Sequence, residues 1–318
     1  MKRIINSFVL IGVMLPAAIA QQNSDEATKN VDEGVLAQSD ENSEDGWKKG
    51  GTFAVNFGQV TLSNWQGGGQ SSVSGNSLMS LFANYKKGKK AWDNSLDLAY
   101  GLISQDNVPW IKSDDRIELN SKYGQQFNKN KKFYYGSLLN FRSQFAPGFA
   151  EASNTNVISR IMSPGYLTGA LGIDYKPNKS LSLFLAAVSY RGTFVLDDAL
   201  NAVGAYGVET NSRLRNELGG LFMAKYQKDV MKNVNLKTQL TLFSNYIESP
   251  QNIDVLWDVL ISMKINKYIS ASISTTLIYD HDILLPLIAT DDSGNEISFS
   301  GRRAQFKEVL NIGFSYKF

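Results

Sequence analysis

The chain has no cysteine, which excludes disulfides and thiolate metal sites. It has one histidine in 318 residues, so no histidine cluster exists to hold a transition metal. No run of 20 apolar residues occurs, so a helical membrane span is excluded. No Gly-rich phosphate loop or dinucleotide fingerprint is present. Charge of one sign is scarce as well: the formal net charge is +2, and the basic residues are spread along the chain, not gathered in a stripe. That argues against a nucleic-acid partner. No cofactor is expected. With 43% hydrophobic, 11% aromatic and 19% charged residues, the chain is nonetheless too apolar for disorder.

The N-terminus has the pattern of an export signal. Lys2 and Arg3 precede the short apolar run 4–15, and Ala18-Ile19-Ala20 is a small-residue cleavage pattern. Residues 1–20 are therefore expected to be a signal peptide, with the mature chain starting near Gln21. No cysteine follows to carry a lipid anchor. Residues 21–49 contain eight acidic residues against Lys29, Lys48 and Lys49, with almost no large apolar content over 21–46. They are expected to form a disordered acidic tail.

From residue 50 the chain alternates between strands and turns. Twelve strands are predicted, at about 52–62, 76–86, 91–103, 114–126, 131–146, 165–176, 180–191, 213–228, 233–247, 252–265, 268–280 and 305–318. Several have one apolar and one polar face. In the tenth, Ile253, Val255, Trp257, Val259, Ile261 and Met263 oppose Asp254, Asp258, Ser262 and Lys264. The seventh is apolar on both parities, so its facing stays open. Short turns rich in Lys, Asn, Gly or Pro (86–90, 128–130, 177–179, 228–233, 266–267) alternate with longer loops (63–75, 104–113, 147–164, 192–212, 281–304). Only 248–252 breaks the rule.

In the last strand, Phe306, Leu310, Ile312, Phe314, Tyr316 and Phe318 share one parity, and the chain stops on that aromatic. This ending resembles the C-terminal signal by which bacterial outer-membrane β-barrels are recognised for assembly. The resemblance implies outer-membrane lipid as surroundings and the barrel-assembly machinery as a transient partner. It assigns Phe318 to the assembly signal. Short turns at one rim and long loops at the other fit the same class. The predicted fold is all-β: a transmembrane antiparallel up-and-down β-barrel of about 12 strands in the outer membrane of a Gram-negative cell, occupying residues 50–318. Both termini then lie at one rim, which requires an even strand number; ten or fourteen remain if a strand is missed or split. Closure is forced, because an open edge in lipid strands backbone polar groups. Aromatics near strand ends, among them Tyr85, Trp92, Phe133, Tyr134, Tyr175 and Tyr316, suit interfacial girdles. A soluble lipocalin-like barrel would bury the apolar face instead and would usually have eight strands.

If the apolar parity faces lipid, the lumen receives Asp93, Asp97, Arg116, Glu118, Lys122, Arg142, Asp174, Arg213, Arg215, Glu217, Lys225, Lys237, Asp254, Asp258, Lys264, Lys307 and Lys317. These suit a polar pore with a mild cationic bias. They also suit a narrow barrel plugged by ion pairs across the lumen. The first reading predicts a small-solute channel or transporter. The second predicts a closed accessory barrel that docks other envelope proteins through its loops or acidic tail.

After the first strand comes Asn64-Trp65-Gln66-Gly67-Gly68-Gly69. With Ser163-Pro164-Gly165-Tyr166, Gly172-Ile173-Asp174-Tyr175-Lys176-Pro177, Ala205-Tyr206-Gly207-Val208 and the ending Gly313-Phe314-Ser315-Tyr316-Lys317-Phe318, this resembles an uncharacterised family of Bacteroidetes-type outer-membrane proteins over most of 47–318. The resemblance implies a membrane barrel and no activity, ligand or site. A hydrolase reading would need a serine and an orienting group in contact with His281, and no nucleophile signature distinguishes a serine. Asp280, Asp282, Asp291 and Asp292 lack calcium-loop spacing. The chain is not expected to be an enzyme.

Overall fold

The structure is a computed structural model that describes residues 45–61, 71–105, 109–128, 132–149, 156–266, 268–282, 285–290 and 296–318. The expected signal peptide, most of the acidic tail and the Asn64-Trp65 turn lie outside these residues.

The strands are β1 (Gly46–Val60), β2 (Ser72–Lys87), β3 (Lys90–Gln105), β4 (Ile111–Gln126), β5 (Phe133–Ser143), β6 (Gly148–Phe149), β7 (Val157–Ser159), β8 (Gly165–Asn178), β9 (Leu181–Phe194), β10 (Leu214–Met231), β11 (Val234–Asn245), β12 (Asp254–Lys264), β13 (Ile269–Tyr279), β14 (Leu285–Thr290), β15 (Glu296–Gly301) and β16 (Gln305–Lys317). Twelve of them close a barrel in which every neighbour is antiparallel and follows its predecessor around the wall: β1 to β5, β8 to β13, then β16 back to β1. The pairs β6–β7 and β14–β15 form separate two-stranded sheets within two of the long loops. The sequence pattern gives loop at both places. Pro286 inside β14 removes a ladder donor, and β6 is two residues long, so neither shows a strand period.

Closure is made by the two ends of the barrel. Thr52 pairs with Lys317 and Val55 with Phe314. The Gly51 amide donates to the Phe318 carbonyl at 2.9 Å, and the Phe318 amide donates back to Gly51 at 3.0 Å. A Cβ on residue 51 would stand 2.8 Å from the Phe318 ring, so glycine there lets the terminal ring lie against the first strand.

Apolar side chains cover the outside. Phe306, Leu310, Ile312, Phe314, Tyr316 and Phe318 are all exposed, as are Phe57, Leu119, Leu139, Leu171, Leu185 and Val188. A continuous apolar exterior of this extent is stable against lipid, where the closed ladder pairs the wall backbone internally. Aromatics gather at the short-turn rim. Trp47 lies 5.2 Å from Tyr85 and 5.9 Å from Trp92, while Phe127 stacks on Tyr135 at 4.2 Å and Phe133 on Tyr175 at 4.6 Å.

Several boundaries differ from the sequence expectation. β1 starts at Gly46, so Trp47, Lys48 and Lys49 belong to the wall and not to the tail; Trp47 joins the aromatic girdle. The expected loop 104–113 shrinks to a short connection because β4 begins at Ile111. Tyr134 is no girdle residue. It pairs with Asp174 on the inward parity, and the Lys176 ammonium sits 5.2 Å above its ring.

The facing of β9 is settled by a bulge. Against β8, Leu171 meets Val188 but Ile173 meets Leu185. One extra residue in β9 therefore inverts its parity. Ser182, Phe184 and Ala186 point inward before the bulge; Ser189, Arg191 and Thr193 point inward after it. Gly172 makes this fit, since a Cβ there would lie 2.2 Å from the Leu185 carbonyl oxygen.

Candidate functional site

The inward residues of the barrel form two dense ionic groups and one sparse wall. The first group lies toward the short-turn rim. Lys122 on β4 reaches past β5 to Asp174 on β8 at 2.5 Å. Lys176, also on β8, lies 3.7 Å from Asp174 and 3.9 Å from Asp93 on β3. Ser182 donates to Asp174 at 2.6 Å. Strands that are not ladder neighbours can meet this way only through the lumen. Phe184, fully buried, carries the Lys122 ammonium 5.4 Å above its ring. Lys225 on β10 approaches the same group. Together, Asp93, Ser95, Asn120, Lys122, Lys176, Ser182 and Lys225 surround a cavity of about 40 Å³.

The second group lies toward the long-loop rim. Arg191 forms a two-pronged bond to Glu217, at 2.8 and 2.7 Å, and reaches Asp254 on β12 at 2.6 Å. Arg215 lies 3.2 Å from Glu217, bonds Asp282 just beyond β13, and lies 3.5 Å from Glu248. Asn245 donates to Glu217 at 3.3 Å, and the Arg191 guanidinium stacks 4.2 Å over Phe243. Glu217, 1% exposed, thus takes bonds from three donors, as a buried carboxylate requires. Asp280, past the end of β13, is held above the usual carboxylate range, chiefly by burial and then by the charge of Asp254, with Arg191 pulling the other way.

Between these levels, Arg142 lies 3.6 Å from Glu118, which also accepts from Asn140, and Ser80 donates to Asp97 at 2.5 Å. Thr276 donates to Asp258 at 2.7 Å. Arg116, Lys237 and Lys264 hold inward register positions opposite Ala99, Leu260 and Ser270. Lys307 crosses to Asp114 at 2.5 Å, partly exposed. Arg213 departs from the rest. It precedes β10 and bonds Asp198 and the Leu196 carbonyl in the loop above the barrel, so it stands outside the lumen.

The sparse wall is β11–β13. Its inward residues Gln239, Thr241, Leu256, Leu260, Ser262, Ser270, Ser272 and Ser274 all stay partly open to solvent, while Phe243 and Asn245 at the long-loop end of β11 are buried. On β8–β10 the inward Ala170, Ser182, Ala186, Ser189 and Leu221 are buried. The ionic groups therefore crowd the β4–β10 side of the lumen, reaching β12 only at Asp254, and leave a strip of mostly small residues partly wetted along β12 and β13.

Two loops pack over the rim above β8–β10. A short helix α1 (Asp198–Ala202), capped by the Asp197 carboxylate, buries Leu200 against Val195 and Val208. Arg160 pairs with Asp197 at 3.2 Å, and the Tyr206 hydroxyl donates to the Ile158 carbonyl at 2.5 Å. Burial pushes the Tyr206 phenol up to about 12. The Ser163 hydroxyl accepts from the Leu196 and Asp197 amides, both at 2.8 Å.

Sequence reasoning missed Lys176 and Arg191. Lys176 shares the parity of Asp174 two residues before it, so its signal was present. Arg191 was hidden by the β9 bulge. His281 lies with its Nδ1 3.3 Å from the Tyr279 hydroxyl, and among the described residues no serine hydroxyl bonds its ring. Among the described residues, no cluster of His, Asp and Glu is arranged to hold a metal.

Residues 57–149 match the model of a family described as a protein of unknown function (DUF3078). No curated protein matches the chain. Solved structures similar to it include an outer membrane channel from Pseudomonas putida F1, 11% identical, covering 89% of this chain and 100% of that one, with a TM-score of 0.41. The translocator domain of the autotransporter NalP from Neisseria meningitidis is 11% identical, with 92% and 94% covered and a TM-score of 0.35. A FadL homologue from Pseudomonas aeruginosa is 10% identical, with 86% and 89% covered and a TM-score of 0.31. At these scores the likeness carries no argument about what this chain does.

Proposed function

We propose that this barrel sits in a bacterial outer membrane and passes small solutes along the wetted strip of β11–β13. The supporting observation is the asymmetry of the lumen. On β12 and β13 no residue is fully buried, from Asp254 and Tyr279 at one rim to Lys264 and Ile269 at the other. The adjoining wall is closed by ion pairs and by Phe184, Leu221 and Met223. Such a strip admits small hydrated solutes and rejects bulky ones, because the ionic groups take up part of an already narrow barrel. Lys237 and Lys264 lie along it with Asp258, a balance that favours anions weakly.

Single-channel recording of the purified protein in planar bilayers tests this reading, with reversal potential measured across a KCl gradient. Small, stable unitary steps with modest anion preference are expected. A second reading has its own support: the Arg191–Glu217–Arg215–Asp282 network and the packed loops 157–163 and 195–208 narrow the long-loop rim. Electrical silence from protein shown to be folded by heat-modifiable gel migration would establish that closed, accessory barrel instead.

A further inference from the structure

The cavity beside Lys225 is lined in part by polar groups that no described residue completes. Asp174 is fully engaged by Lys122, Lys176 and Ser182. Asn84, Asn94 and Asn120, which line the cavity, have partners as well: the Asn94 backbone N–H donates to Asn84, the Asn94 side-chain amide to the Ala83 carbonyl, and Asn120 accepts from Asn140. Ser95, 5% exposed, has no hydrogen-bond partner for its hydroxyl among the described residues. Oδ1 of Asp93 is buried and likewise unpartnered among the described residues, and the carboxylate's other oxygen lies 3.9 Å from Lys176. Lys225 faces the same space, with no hydrogen bond or ion pair to a described residue and with Asp93, Asp174 and Glu118 acting on it only through their fields. Buried groups left like this are costly unless something completes them.

The charge count points to the sign of what is missing. Lys122, Lys176, Lys225 and Arg142 present four positive charges against the carboxylates of Asp93, Asp174 and Glu118, which Arg142 pairs, leaving one positive charge in excess. A single negative charge neutralises it. The donors left for that ligand are the Lys225 ammonium and the Ser95 hydroxyl. The acceptor left is Asp93 Oδ1, which a bare halide or fully ionised oxyanion would repel.

We propose that this cavity binds a small monovalent oxyanion that still carries a hydroxyl, of the hydrogen-carbonate or dihydrogen-phosphate type. Its oxygens accept from Lys225 and Ser95, and its hydroxyl donates to Asp93. A volume of about 40 Å³ holds roughly three water molecules at about 10–15 Å³ each, which admits an anion of three or four oxygens. The site needs no conduction through the barrel, so it stands or falls apart from the channel reading.

The test is crystallographic. Crystals of the purified protein are soaked in sodium dihydrogen phosphate at pH 5.5, and parallel crystals in sodium bromide. The expected result is tetrahedral density between Lys225, Ser95 and Asp93, with bromide at the same place weak or absent. Lys225→Met should abolish the density and Ser95→Ala should weaken it, each in protein whose gel migration shows a folded barrel. The conservative Ser95→Ala keeps the test available if the lysine variant does not fold. Absent phosphate density, or density unchanged in the variants, would overturn the site. Bromide binding as fully as phosphate would overturn the assignment of a hydroxylated oxyanion.

Discussion

Glu217 and Lys307 show how differently a charge can matter inside one barrel. Glu217 is buried and shared by Arg191, Arg215 and Asn245, so its loss leaves two guanidinium groups short of their counter-charge. Removing one partner of a buried ionic network costs about 3–5 kcal/mol. Glu217→Leu should lower stability by that order, read as a fall in the urea midpoint of the barrel in lipid vesicles. Lys307 meets Asp114 with nearly half of its side chain exposed. Pairs of that kind are worth about 0–1 kcal/mol, so Lys307→Met should leave the midpoint almost unchanged.

At the scale of the element, the β9 bulge organises the charged side of the lumen. It turns Arg191 inward, and without that inversion the Arg191–Glu217–Asp254 network would not exist. The bulge depends on a bare backbone at residue 172. Gly172→Ala would set a methyl 2.2 Å from the Leu185 carbonyl oxygen and 2.7 Å from the Ala186 Cα. Neither backbone atom can move without disturbing the ladder, and overpacking of this kind costs about 1–3 kcal/mol. The folded, heat-modifiable fraction of Gly172→Ala should fall clearly below that of wild type. Gly169→Ala, three residues earlier, is the control: no atom lies within 4 Å of its added Cβ, and its folded fraction should match wild type.

For the whole molecule, the medium decides stability. Leu119 sits near the middle of β4, 41% exposed on the outer face. Leu119→Arg would place a charge in hydrocarbon, at a cost of about 2–4 kcal/mol near the midplane. Insertion into thin vesicles should fall. Were the barrel soluble, the same substitution on an exposed residue would be nearly silent, so insertion yield and urea midpoint together test the lipid-facing assignment.

The sequence by itself determined the number of wall strands and, where one parity was polar, which residues share a face. Strand alternation has a period of two, and a barrel has only two faces, so parity alone assigns most residues. The positions of Asp93, Lys122, Asp174 and Glu217 follow from that periodicity. Where both parities were apolar, as in β9, periodicity had nothing to say, and the extra residue of the bulge could not be seen. The start of β1 was misplaced for a related reason: Trp47, Lys48 and Lys49 follow a polar tail, and only pairing with Tyr85, Asn84 and Ala83 makes them strand. Tertiary structure alone decided which inward charges meet. Lys122 finds Asp174 across an intervening strand, and Arg191 finds Asp254 across two, because curvature brings the inner faces of distant strands together. The same curvature leaves β11–β13 wetted while β8–β10 is filled. No one-dimensional pattern encodes that difference, since it depends on the sizes of side chains facing one another across the lumen.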